Sequence, residues 1–239
     1  MPLSCRNEAP VATGPRSGPG LADALKAQTR ALHTALERGP LMHSLLRGEM
    51  PRAPYCVLLR NLHAVYAALE PALLRHAAHP GVAPVVFPAL FRSQPLADDL
   101  AELHGAAWQQ EIAAVPAAHR YAQHLHDIAA DRPALLVAHA YVRYLGDLSG
   151  GQMLRRIVAA GLSLTNGRGT RFYDFGEPVD VAEQVLAFRT GLAQLNHDDE
   201  HVAAIVAEAV GSFQRHQELF DELAGVPRSP EAAAVNPAN

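Results

Sequence analysis

Cysteine, unbroken apolar runs and excess basic charge are all scarce in this chain of 239 residues. The two cysteines, Cys5 and Cys56, form no CxxC pair, which excludes a cysteine zinc site, a dithiol redox motif and a disulfide scaffold. No stretch approaches the ~20 apolar residues that span a bilayer, and the N-terminus lacks the apolar segment of a signal peptide. A formal charge of -4 with histidine neutral gives no broad electrostatic case for nucleic acid or membrane. The expectation is a cytoplasmic protein with no nucleic-acid or membrane partner.

Other absences narrow the chemistry. Strand alternation bounded by hairpin turns is nowhere convincing, so the expected class is all-α. There is no G-x-G-x-x-G or Walker loop for a dinucleotide or nucleotide, and no G-x-S-x-G elbow for a hydrolase. No glutamate has a histidine three residues later, so the Glu-x-x-His motif of helical di-iron sites is missing.

What remains is helical. Residues 1–20 carry Pro2, Pro10, Pro15, Pro19 and three glycines, and read as a disordered or loosely docked arm. Residues 226–239 read the same way, which leaves one folded domain over 21–225. Leu21, Leu25, Leu32 and Leu36 share one face of a first helix at 21–38, ended by Gly39-Pro40. A second starts near Pro54 and meets a break or bend at Pro71. Further helices are expected at 95–112, 117–130, 133–160, 178–195 and 199–223, with Asp198 or Asp199 capping the last. "VAPVVFPALF" is expected to be loop and short helix, because its prolines oppose a strand.

Against that background "AYVRYLGDLSGGQMLRR" at 140–156 is unusual, since a helix there holds Gly146, Gly150 and Gly151. Each costs about 0.5–1 kcal/mol relative to alanine, so the three cost about 2 kcal/mol of a typical 5–15. Two features offset such a cost. Another backbone packs closely there, or a flat ligand lies on a surface stripped of side chains. A flat ligand with a metal centre needs a ligating residue, and the 13 histidines supply candidates. His197 and His201 read as a polar helix start, and His119, His124 and His126 lack a carboxylate arrangement. His33 sits beside the apolar face of the first helix, with Lys26 and Arg30 upstream as cations for an acidic ligand.

Two of these segments together resemble the haem oxygenase family. "LKAQTRALHTALERGPLM" at 25–42 is similar to its proximal-histidine helix, and "AYVRYLGDLSGGQMLRRI" at 140–157 to its distal signature. "NLHAVYAALEPAL" at 61–73, "FRTGLAQL" at 188–195 and "SFQRHQELFDEL" at 212–223 follow in order, so the resemblance covers about 21–223. It implies a single-domain helical fold with haem held between a proximal and a glycine-kinked distal helix. It also implies oxidative cleavage of haem b, both substrate and cofactor, by O2 to biliverdin, CO and ferrous iron. A non-enzymatic haem carrier or sensor is the alternative.

Carried onto this chain, the resemblance implies that His33 is the axial iron ligand and that Glu37 holds its other ring nitrogen. Gly146 and Gly150 would lie over the distal haem face, with Gly151 adding flexibility. Asp147 would hold distal waters that donate to bound dioxygen, in a network with Tyr66 and Arg143. Lys26, Arg30, Tyr141 and Arg189 would meet the propionates, and Phe213 and Phe220 would form apolar wall. Two departures stand out. Val185 replaces a lysine one turn before Arg189, and His216 replaces a smaller polar residue of the distal network. Cleavage at the α-meso carbon is still the expectation. Electrons come from outside, from ferredoxin or another reductase, because the chain has no flavin or NAD site. A biliverdin acceptor would take the product.

Overall fold

The computed structural model describes residues 20–195 and 198–225. The expected arm up to residue 19, the tail from 226, and His197 lie outside these residues. Among the described residues every regular element is helical: α1 (Leu21–Glu37), α2 (Pro40–Leu46), α3 (Arg52–Arg75), α4 (Ser93–Leu103), α5 (Trp108–Glu111), α6 (Pro116–Asp131), α7 (Leu136–Ala140), α8 (Gly146–Gly161), α9 (Pro178–Gln194) and α10 (Asp199–Leu223). The stretch Tyr141–Leu145 between α7 and α8 is π-helical.

The core is organised on α3. Tyr55, Leu58, Leu59, Leu62, Val65, Tyr66, Leu69 and Leu73 recur at helical spacing and are all buried. They pack against α6 on one side and α4 on another, while α1 packs along α10. Each fully buried leucine contributes about 1.5–3 kcal/mol, so this ridge is a substantial part of what holds the fold together.

The sequence expectations meet three corrections. Pro71 neither breaks nor ends α3, which continues to Arg75. The proline stands one turn from the helix end with residues 67 and 71 both exposed, so the carbonyl it leaves without a donor can be solvated. The expected helix at 95–112 is two, because Gly105 adopts φ +118°, which no helix accommodates. The expected helix at 133–160 begins as a 3-10 turn at Pro133–Leu135 and changes register in the π-helical stretch. Asp198 caps α10 as expected, its Oδ1 accepting from the His201 backbone N–H at 2.8 Å.

Two buried carboxylates fix the frame around α8. Glu70 of α3 accepts the backbone N–H groups of Arg92 and Ser93, tying the start of α4 to α3. Asp99 of α4 accepts from the backbone of Arg171 and Phe172 at 2.9 and 2.8 Å, and burial pushes its pKa up to about 6. That holds the turn 171–173, and Arg92 holds the next stretch by donating to the Asp174 carbonyl at 2.8 Å and stacking on Phe175.

Close backbone contact also sets α9, where a Cβ on Gly191 would overlap the Pro84 carbonyl. Gly191→Ala is therefore expected to cost about 3 kcal/mol, lowering Tm by roughly 6–12 °C for a chain of this size. Thermal unfolding followed by circular dichroism measures it, and an unchanged Tm would contradict this packing.

Candidate functional site

A cavity of about 570 Å³ opens between α1, the π-helical stretch and α8, closed at its ends by α9 and α10. Seven residues singled out from the sequence line it: Lys26, Arg30 and His33 from α1, Tyr141 and Gly146 from the distal run, Arg189 from α9 and Phe213 from α10. His33 is held edge-on to Phe213, ring centroids 6.1 Å apart, and its side chain is 49% exposed. Its Nδ1 lies 3.5 Å from Oε2 of Glu37, which leaves Nε2 free to ligate. Lys26, Arg30 and Arg189 are exposed at the rim. Asp23 also lines the cavity and tempers that positive edge. Its spacing of three residues from Lys26 was the only sign of it in the sequence. Buried Thr29 is a second wall residue that no motif marked; its hydroxyl is spent on the Leu25 carbonyl at 2.8 Å.

The three glycines divide by what a side chain would meet. A Cβ on Gly146 would touch nothing within 4 Å, and one on Gly150 only Leu154 of its own helix. Both leave open space where a flat group can approach the backbone. Gly151 does not belong with them: its Cβ would sit 3.3 Å from the Tyr173 carbonyl and 3.6 Å from Phe175. It is buried under the stretch pinned by Asp99 and Arg92, and its task is to let that loop pack on α8. None of the three has positive φ, and the helix irregularity lies earlier, at Tyr141–Leu145. The missing side chain, not backbone freedom, is what these positions use.

Beside Gly146, Asp147 belongs to a closed polar cluster. Its Oδ1 accepts from Arg143 Nη2 at 2.8 Å, and its Oδ2 accepts the Tyr66 hydroxyl proton. Arg143 Nε in turn donates to the Tyr66 oxygen at 2.9 Å. The Asp147 side chain remains 10% exposed. Burial raises the Asp147 pKa, and Arg143 opposes that rise. His216 closes the far side: Arg143 Nη1 is 3.1 Å from its Nε2, while its Nδ1 is 2.9 Å from the Ser212 carbonyl. A carbonyl only accepts, so Nδ1 carries the proton and Nε2 accepts from Arg143. The replacement at 216 therefore extends the network rather than interrupting it. Phe220 is buried in the core with its ring edge-on to His216 and is not among the residues lining this cavity.

Buried histidines make the fold acid-sensitive. Burial and Arg143 hold His216 well below its ordinary value, and burial with Arg60 lowers His63 to about 4. Such a group takes up a proton on unfolding, so its stabilisation is complete above its unfolded pKa of about 6.5 and declines as pH falls toward the folded value. Together these two are expected to remove about 2–3 kcal/mol per pH unit below about 6.5, offset in part by Asp99, whose pKa of about 6 makes its protonation stabilise the fold over the same range. Urea unfolding midpoints between pH 7 and pH 5 measure this, and a flat profile would contradict it.

Comparison with known proteins bears on this geometry. A family model described as "Heme oxygenase" matches residues 19–222. Heme oxygenase 1 of a Nostoc species is 37% identical over 205 residues, covering 86% of each chain. Human heme oxygenase 1 is 36% identical over 205 residues, 85% of this chain and 71% of its own length. Among solved structures, heme oxygenase-2 of a Synechocystis species, in complex with heme and NO, superposes with a TM-score of 0.83 at 38% identity, covering 87% of this chain and 86% of that one.

Proposed function

The chain belongs to the haem oxygenase family and degrades haem to biliverdin, and from that premise we propose how its own residues carry the reaction. One observation carries the reading: a single cavity sets His33 on one wall against the side-chain-free backbone of Gly146 on the other, with cations at its mouth. Haem b fits that arrangement as substrate and cofactor. His33 Nε2 would hold the iron, and Glu37 would steady the ring through Nδ1. Lys26, Arg30, Tyr141 and Arg189 would take the propionates. Each charge-assisted bond contributes about 1.5–3 kcal/mol, enough to choose one rotation of the ring in its plane.

When bound, haem supplies the iron that activates dioxygen; the protein supplies position and protons. Gly146 and Gly150 would give a roof without side chains, leaving room for the flat ring and a small ligand beneath the backbone. Asp147, fixed by Tyr66 and Arg143, would orient waters that donate to that oxygen. The propionate anchors would set the rotation of the ring, with the α-meso carbon as the position exposed to attack. Val185 offers no charge where relatives of animal type have a lysine, so Arg189 bears that end alone.

Electrons would come from ferredoxin or another reductase docking at the Lys26, Arg30 and Arg189 rim, with no flavin or NAD held by the chain itself. A biliverdin acceptor would receive the product. Among the described residues no helix is long and apolar enough to cross a membrane, and we place the enzyme in the cytoplasm.

The test mixes the protein with haem at a 1:1 ratio, adds ferredoxin and its reductase under air with catalase present, and follows the visible spectrum. The reading requires loss of the haem band and growth of biliverdin absorption. A stable oxygenated complex under competent reduction would make the protein a haem carrier instead.

A further inference from the structure

Away from the haem cavity, three helices bring two histidines and a glutamate to one point. His124 of α6 and His139 of α7 each direct Nε2 at the same carboxylate oxygen of Glu208 on α10, at 2.6 and 2.9 Å. The three atoms lie within 4.8 Å of one another, the one such grouping of histidine and acidic groups found among the described residues. His139 is fully buried, while Glu208 and His124 are 12% and 23% exposed, so the cluster opens to solvent on one side.

We propose that His124, His139 and Glu208 form a binding site for a divalent transition-metal ion, with solvent completing the coordination. Two imidazole nitrogens and one carboxylate oxygen suit zinc, cobalt and ferrous iron, whereas magnesium and calcium prefer oxygen alone. A tetrahedral ion with bonds of about 2.0–2.2 Å keeps its ligands roughly 3.3 Å apart. The two histidine–glutamate separations of 2.6 and 2.9 Å are shorter than this and must lengthen, and the two imidazole nitrogens, within 4.8 Å of each other, must come to the same spacing.

The surroundings can support the tautomer that ligation demands. A metal needs the lone pair on His139 Nε2, so the ring proton must sit on Nδ1. The Tyr121 hydroxyl is 2.9 Å from Nδ1, and its oxygen is 2.7 Å from Ser212 Oγ. Tyr121 can therefore accept from Nδ1 while donating to Ser212, the outer support usual for a metal-bound histidine. Without metal, the proton moves to Nε2, Tyr121 donates to Nδ1, and the same groups remain satisfied as a clamp. Burial favours the neutral His139 that either state uses. Arg215 is the neighbouring cation: its Nη1 stands 3.9 Å from the same Glu208 Oε1 and opposes a bound cation, so it lowers the affinity. The site is independent of haem cleavage and needs no haem to be tested.

Zinc titration of the full chain near neutral pH, without haem, reads the site directly. One equivalent is expected, retained in His33→Ala and weakened at least about tenfold in His124→Gln. His124 is partly exposed, so thermal melting should confirm that the variant folds. His124→Cys supplies a second, positive readout: it should still bind cobalt and add an intense thiolate charge-transfer band absent from the parent. Zinc binding unchanged by His124→Gln, or a cobalt spectrum without the thiolate band in His124→Cys, would overturn the proposal.

Discussion

Asp147→Ala is expected to leave haem bound and to reduce biliverdin formation at least about 100-fold, the lower end of what a positioned proton-handling group contributes. Binding should survive because the contacts proposed to hold haem come from elsewhere: His33, Phe213 and the cations of the rim line the cavity, and Asp147 does not. Chemistry should fail because Asp147 is the anchor of its cluster. Without the carboxylate, the Tyr66 hydroxyl loses its acceptor and Arg143 loses its ion pair in a half-dry site. A buried partner left in this way costs more than the bond itself was worth. Asp147→Asn separates the two effects. It keeps the shape but not the charge, and should recover stability while remaining poor in turnover. Single-turnover rates and haem titrations on both variants provide the check; equal loss of binding and turnover would contradict the assigned role.

His33→Ala is expected to cost at least about 100-fold in turnover, restored in part by added imidazole. The ring is reached from solvent and sits in a cavity, so its removal leaves a space that free imidazole can enter. Glu37→Gln provides the contrast. The His33–Glu37 pair is 3.5 Å apart and about half exposed on both sides, a geometry that contributes only about 0–1 kcal/mol. Its loss should change turnover by no more than about fivefold. Visible spectra of the ferric haem complexes, with and without imidazole, report the axial bond directly. A wild-type spectrum in His33→Ala without imidazole would mean that another residue holds the iron.

These expectations rest on features that were unequally legible beforehand. Helices α9 and α10 could be bounded from sequence because local chemistry sets their ends: Pro178 opens one and the Asp198 side chain caps the other. The wall residues His33, Lys26 and Arg30 share one face of α1, so spacing alone brought them together. Gly146 and Gly151 looked alike in sequence, yet one faces open cavity and the other a carbonyl from a loop 22 residues on, Tyr173. That distinction is tertiary. So is the π-helical stretch, whose residues Tyr141–Leu145 carry no local signal for it. The cluster of His124, His139 and Glu208 was invisible for the same reason: it joins α6, α7 and α10 across as many as 84 positions. A search for metal spacing along one helix passes over it.

A side-chain-free roof and a cationic rim are together expected to hold haem in one orientation. Chromatography of the bile pigment from a single turnover of the wild-type enzyme tests this most directly. One product, the α isomer, is the predicted result. A mixture of isomers, or a single isomer from another meso carbon, would contradict the assigned anchoring by Lys26, Arg30, Tyr141 and Arg189.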